Sequence, residues 1–177
     1  PSNILAPTAL GAGAQHTCSL AASDGRLQCW GDDTYGQASE APSGAYSLLA
    51  CGDHHGCAVR TSDGAVVCWG RNADGEATPP ANLGDSAPQL LAAGGRTSCV
   101  LVQNVPRCWG ADEHGQVSTP TQVDTYKSLA VGADFACATS SSGAIRCWGS
   151  NAQGQSAPPT ARLYTSVAAG VMHACGA

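Results

Sequence analysis

Ten cysteines among 177 residues are the side chains with the most chemical potential in this sequence. Thiols bridge, ligate metals or act as nucleophiles, and their spacing separates these uses. Eight fall into pairs: Cys18 with Cys29, Cys57 with Cys68, Cys99 with Cys108, and Cys137 with Cys147. Between the members of each pair lies turn chemistry: Ser23-Asp24-Gly25, Ser62-Asp63-Gly64, Gln103-Asn104 and Ser141-Ser142-Gly143. Folding each segment about its turn sets the two cysteines directly opposite one another, close enough for a disulfide. The third pair is closer in sequence than the first two, yet its turn is shorter and the opposition survives. Four cross-strand bridges are expected. Zinc knuckles of the Cys-x₂-Cys kind are absent. The stretch Cys51-Gly52-Asp53-His54-His55-Gly56-Cys57 holds metal-capable groups, but its hairpin claims Cys57, and His55 shares a repeat position with His16 and His173. No metal site is expected there. Cys51 and Cys175 have no hairpin partner, so each is read as an inter-blade or inter-chain thiol, with a buried free thiol as the alternative for Cys51. Neither a Gly-x-Ser-x-Gly elbow nor a His-Glu-x-x-His pair occurs, and no glycine loop of the phosphate-cradling kind. No catalytic residue and no cofactor are expected.

The elements that position these cysteines repeat. Cys-Trp-Gly occurs at Cys29-Trp30-Gly31, Cys68-Trp69-Gly70, Cys108-Trp109-Gly110 and Cys147-Trp148-Gly149. Each copy is followed by a glycine and then Gln37, Glu76, Gln116 or Gln155. Upstream, a glycine precedes a cysteine by a constant step at Gly13/Cys18, Gly52/Cys57, Gly94/Cys99, Gly132/Cys137 and Gly170/Cys175. Apolar runs are short and turn signals frequent, which is a β pattern. The repeats span approximately 8–46, 47–88, 89–127 and 128–164, with a partial fifth at 165–177. A sheet of one such unit cannot bury both faces alone, so neighbours must stack on it. Radial stacking gives an all-β fold, a β-propeller with four complete blades and part of a fifth. Three completions remain open: a piece of a larger ring such as a seven-bladed one, an arc completed by other chains, or a compact four-bladed ring.

Composition limits the partners. The chain has 22 Gly, 10 Pro and a formal charge of −5, without any run of Lys or Arg. A nucleic-acid partner is therefore not expected, because displacing phosphate counterions needs a basic face. No apolar run reaches membrane-spanning length, so membrane insertion is not expected either. The chain opens at Pro1 with no signal-peptide core, and any secretion signal is expected to lie outside it. The segments after Cys-Trp-Gly vary on a fixed frame, which suits a recognition surface. Asp32, Asp33, Tyr35, Arg71, Asp74, Asp112, Glu113 and His114 are the candidate partner-binding residues, with plain solvated turns as the alternative reading. Thr78, Ser118, Thr119, Thr121 and Thr160 lie in Pro-containing segments that suit O-linked sugars, while no Asn-x-Ser/Thr acceptor is present.

Ala-Gly-x-x-His-x-Cys, then Asp-Gly, then Cys-Trp-Gly-x-Asn-x-x-Gly-Gln, with Pro42, Pro79, Pro120 and Pro158 in the following loops, resembles the repeat of the regulator-of-chromosome-condensation family. It is similar in particular to the secreted, cysteine-bearing branch that includes a β-lactamase-inhibiting propeller. The resemblance runs from Thr8 to Ala177. It implies a propeller that binds proteins through loops on its faces and has no shared catalytic residues. Nuclear members lack the regular cysteine pair, so exchange-factor activity and chromatin binding do not carry over. The expected role is a non-catalytic extracellular or cell-surface interaction module, acting on a protein partner or by self-association. The alternatives are a structural subunit of an assembly and an inhibitor of a secreted enzyme.

Overall fold

The computed structural model describes residues 8–84, 86–120, 124–160 and 162–177. Thr121, one of the possible sugar acceptors, lies outside them.

Each repeat folds into a small antiparallel sheet whose strands follow sequence order. Blade one contains β1 (Ala9–Ala12), β2 (His16–Leu20) and β3 (Leu27–Gly31); blade two contains β4 (Tyr46–Cys51), β5 (His55–Arg60) and β6 (Val66–Gly70). Blade three is β7 (Leu90–Gly94), β8 (Thr97–Val102) and β9 (Val105–Gly110), and blade four β10 (Tyr126–Val131), β11 (Phe135–Ser140) and β12 (Ile145–Gly149). The fifth has two strands, β13 (Val167–Ala169) and β14 (Ala174–Gly176). Among the described residues there is no helix long and apolar enough to cross a membrane.

The middle and outer strands pair with each cysteine opposite its partner, at Cys18↔Cys29, Cys57↔Cys68, Cys99↔Cys108 and Cys137↔Cys147. All four pairs are disulfides, with Cα atoms 4.0–4.1 Å apart. The third hairpin keeps this register by a two-residue turn. Gln103 and Asn104 both take left-handed backbone (φ 51° and 62°), the geometry that matches strand twist in a tight hairpin. Its ladder gains a further pair, Val102↔Val105, next to the turn.

Inner strands pack side by side around an axis: β1 on β4, β4 on β7, β7 on β10, and β10 on β13. There is no single central core. Apolar side chains form slabs between adjacent blades, and the first three slabs share one recipe. Cys18 meets Trp69 between blades one and two, Cys57 meets Trp109 in the next slab, and Cys99 meets Trp148 in the third. A disulfide from one blade is thus covered by the indole of the next. The fourth slab holds Cys137, Phe135 and Val167 with no indole. Burial records this stacking. The middle strands β8 and β11 are buried along their whole length, whereas β2, which has a neighbouring blade on one side, alternates.

The indoles also make a polar latch. Trp69 Nε1 donates to the Gln37 carbonyl (3.0 Å), Trp109 Nε1 to the Glu76 carbonyl (3.0 Å), and Trp148 Nε1 to the Gln116 carbonyl (2.9 Å). These three tryptophans are 6–8% exposed, while Trp30, in the first blade, is 49% exposed. Trp148→Phe keeps an aromatic ring but removes the N–H donor and strands a buried carbonyl, and is expected to lower the unfolding free energy by about 1–3 kcal/mol in urea titration. Trp30→Phe is expected to stay within about 0.5 kcal/mol of the parent.

Candidate interaction face

Strand polarity brings two kinds of loop to one face: the turn between inner and middle strands, and the loop after each Cys-Trp-Gly. The glycine that ends each outer strand has positive φ (Gly31 108°, Gly70 89°, Gly110 106°, Gly149 95°). A Cβ there would strike a backbone oxygen of the adjoining turn, that of Gln15, His54, Arg96 or Asp134.

Each loop is held by two side chains. The first is Asp33, Asn72, Asp112 or Asn151, whose Oδ1 accepts the backbone N–H of Ala38, Ala77, Val117 or Ser156 at 2.9–3.0 Å. The Asp33 carboxyl also accepts the Ser39 N–H at 2.8 Å, and these backbone donors, Ser39 first, hold it below the usual carboxylate range. The second is the Gln or Glu at the end of the loop. Its side-chain oxygen accepts the N–H of Tyr35, Asp74, His114 or Gln153, each at 2.8 Å. The other end of that side chain is matched residue by residue. Gln37 Nε2 donates to Asp32, Arg71 Nη1 donates to Glu76, and Gln155 Nε2 donates to Ser150 Oγ. In the third blade the matching position is Ala111, and Gln116 Nε2 has no partner among the described residues.

The eight candidate loop residues therefore divide. Asp32, Asp33, Arg71 and Asp112 brace their own loops. Tyr35, Asp74, Glu113 and His114 face outward or across to the next blade. The Tyr35 ring sits 5.3 Å from His54, tilted by 57°. Asp74 accepts from Arg71 (2.8 Å) and from Arg96 of the following blade (3.1 Å), and Arg96 reaches on to Glu113. Tyr35, His54, Asp53, Arg71, Arg96 and Asp134 line a cleft of about 360 Å³. Beside it, the inner-strand tips of all five blades surround an axial hollow of about 390 Å³. His54, Arg96 and Asp134 were not among the sequence candidates. Their signal was present: Gln15, His54, Arg96, Asp134 and Met172 occupy one variable position after a constant glycine.

The adjacent histidines diverge. His54 lies on the face, whereas His55 is buried and its Nε2 meets Ser98 Oγ of the next blade at 2.7 Å. Ser98 Oγ in turn donates to the Glu76 carbonyl. Burial, outweighing the attraction of Glu76, pushes the His55 pKa down to about 4. His16, Cys18 and Cys51 lie within 4.8 Å of one another, but the Cys18 sulfur is committed to its disulfide. Burial pushes the Cys51 thiol up to about 12, so it stays protonated, a free thiol between blades one and two. Cys175 is also free, and exposed.

The regulator of chromosome condensation (RCC1) repeat profile matches residues 8–37, 47–76 and 126–155, together half of the chain. The chain belongs to the RCC1-repeat family. Of the four complete units, the third, with the short hairpin, is not matched. No curated protein sequence matches this RCC1-repeat chain. Among solved structures it is similar to the ectodomain of the Physcomitrella patens receptor kinase CR4, with 26% identity and a TM-score of 0.79 over 94% of this chain and 48% of that one. The ectodomain of the Arabidopsis thaliana receptor kinase ACR4 gives 24%, 0.74, 95% and 58%. Prp20p of Saccharomyces cerevisiae, described with binding properties to Gsp1p and histones, gives 16%, 0.76, 98% and 56%. The RCC1-repeat chain thus spans about half the length of these propellers.

Two measurements test this face and its supports. Ala111→Ser supplies the hydroxyl that Gln155 finds in Ser150, and is expected to raise stability by about 1 kcal/mol in denaturant. For His55 the unfolded chain binds the proton near pH 6.5 and the folded chain near 4. Stability is therefore full above about 6.5 and falls as the pH drops toward 4, by up to about 3 kcal/mol. His55→Phe, which copies Phe135 at the same repeat position, is expected to flatten that slope.

Proposed function

We propose that this chain is a non-catalytic, extracellular or cell-surface protein-interaction module that presents the cleft between Tyr35, His54, Arg71 and Arg96 to a protein partner. The observation that carries this reading is that side chains of successive blades meet there, on loops already held by their own hydrogen bonds. Such preorganisation lowers the ordering cost of binding. The face offers an aromatic ring, a histidine and an alternating Arg–Asp–Arg–Glu ladder, a mixture suited to a polar protein surface rather than to a phosphate backbone. Four disulfides in a chain of this size favour an oxidising compartment. The likeness to a receptor-kinase ectodomain at 26% identity supports the same location.

The test is a binding screen of the purified, oxidised chain against purified extracellular domains, followed by mapping with variants. Tyr35→Ala combined with Glu113→Lys is expected to weaken a partner roughly tenfold or more. Asp24→Ala and Asp63→Ala, in turns at the opposite end of the strands, are expected to leave it unchanged. Binding that follows the opposite turns, or that ignores the cleft variants, contradicts the proposal.

A further inference from the structure

Three departures from the repeat fall together between blades one and two. Cys51 stands where the other units have Ala12, Ala93, Val131 or Ala169. Gly11 faces Cys18 across the first ladder, where the other units set Ala50, Ala92, Ala130 or Ala168 opposite the matching cysteine. A Cβ at Gly11 would lie 2.9 Å from Cys51 Sγ, so the absent methyl makes room for the thiol. The third departure isolates an imidazole. His55 meets the hydroxyl of Ser98, the residue before the next blade's middle-strand cysteine, but for His16 that residue is Gly56. His16 is 3% exposed, and neither of its ring nitrogens has a hydrogen-bond partner among the described residues. A ring nitrogen of His16 and the sulfurs of Cys51 and Cys18 all lie within 4.8 Å of one another.

We propose that Cys51 and His16 form a binding site for one soft monovalent cation of the copper(I) class. Thiolate sulfur and imidazole nitrogen are donors that such an ion accepts. Two metal–ligand bonds of roughly 2.0 and 2.3 Å span a little over 4 Å, so the donors already stand near bridging distance. Charge selects the ion. Burial pushes the Cys51 thiol up to about 12, so the slot does not hold a bare thiolate. One thiolate, one neutral imidazole and one monovalent cation sum to zero, which suits surroundings built from Leu20, Tyr46, Ala58 and Trp69. Zinc would leave a net positive charge there and takes four ligands, while the Cys18 sulfur is held neutral in its disulfide. On binding, the Cys51 S–H bond breaks as the sulfur–metal bond forms, the proton passes to solvent, and no oxidation state changes. The two donors come from different blades, so no single repeat contains the site, and neither lines the loop cleft.

The experiment uses the full oxidised chain with Cys175→Ser, which leaves Cys51 as its one free thiol. The probe is copper(I), supplied as its acetonitrile complex without oxygen. Native mass spectrometry is expected to show one copper per chain in place of one proton. Copper-edge X-ray absorption of the same sample is expected to show both a sulfur and an imidazole nitrogen on the metal. Cys51→Ala is expected to abolish retention against a copper(I) chelator. His16→Phe, which installs the side chain that blade four carries at Phe135, is expected to weaken binding roughly a hundredfold or more, since loss of an outer-shell partner alone costs up to that. Zinc at the same concentration is expected not to displace the copper. Copper held equally after Cys51→Ala is an adventitious ion only and overturns the proposal, as does a chain that retains none. Undiminished binding by His16→Phe, a copper shell without imidazole, or displacement by zinc overturns it as well.

Discussion

Every blade in this chain is too thin to bury its own faces, and in the first three slabs the interaction that resolves this is the indole of one blade seated on the disulfide and loop of the blade before it. The indole does two things at once. Its ring covers the preceding bridge, at Cys18, Cys57 or Cys99, and its N–H takes the carbonyl of Gln37, Glu76 or Gln116. A short hairpin loop limits what a disulfide contributes, to ~2–3 kcal/mol in the chain-entropy picture. That holds a hairpin together but does not join two hairpins. Joining them falls to the slabs, where Trp69, Trp109 and Trp148 are buried against the blade before.

The latch also reaches the interaction face. The residue whose carbonyl receives the indole is the one whose side chain ties down the loop, so stacking and loop shape are set by the same Gln or Glu. In the second blade that residue is a buried carboxylate, Glu76, and its charge is met by Arg71. The ladder then continues through Asp74 and Arg96 to Glu113, from one blade to the next. A buried charge with a hydrogen-bonded partner is tolerable where a lone one is not. Arg71 on the face is consequently positioned by a buried carboxylate, and Arg96 by Asp74 and Glu113.

Much of this was legible in the residues. Pairing of the cysteines followed from turn chemistry, and the β architecture followed from the spacing of glycines and Cys-Trp-Gly. The loop residues were harder. Asp33 and Tyr35 look alike as variable polar positions, yet one points into its own loop and the other at His54. Variation between units cannot separate a residue that co-varies with a buried neighbour, as Asp32 and Arg71 do with Gln37 and Glu76, from one that varies for a partner. The contribution of His54 and Arg96 depends on contacts between blades, which a pattern within one repeat does not contain. The short third hairpin shows the converse: it departs from the family profile while keeping the bridge register that matters physically.

The central claim is that indole seating couples blades two, three and four each to the one before it. Amide hydrogen exchange of the native chain, read strand by strand, tests it most directly in a comparison of the parent with Trp109→Ala. The account predicts that protection falls together in β5 and β8, on the two sides of the slab that Trp109 fills, while β2 is much less affected. A loss confined to the hairpin that carries the substitution, with β5 as protected as before, would mean that the blades stand independently and that the latch is not what holds them.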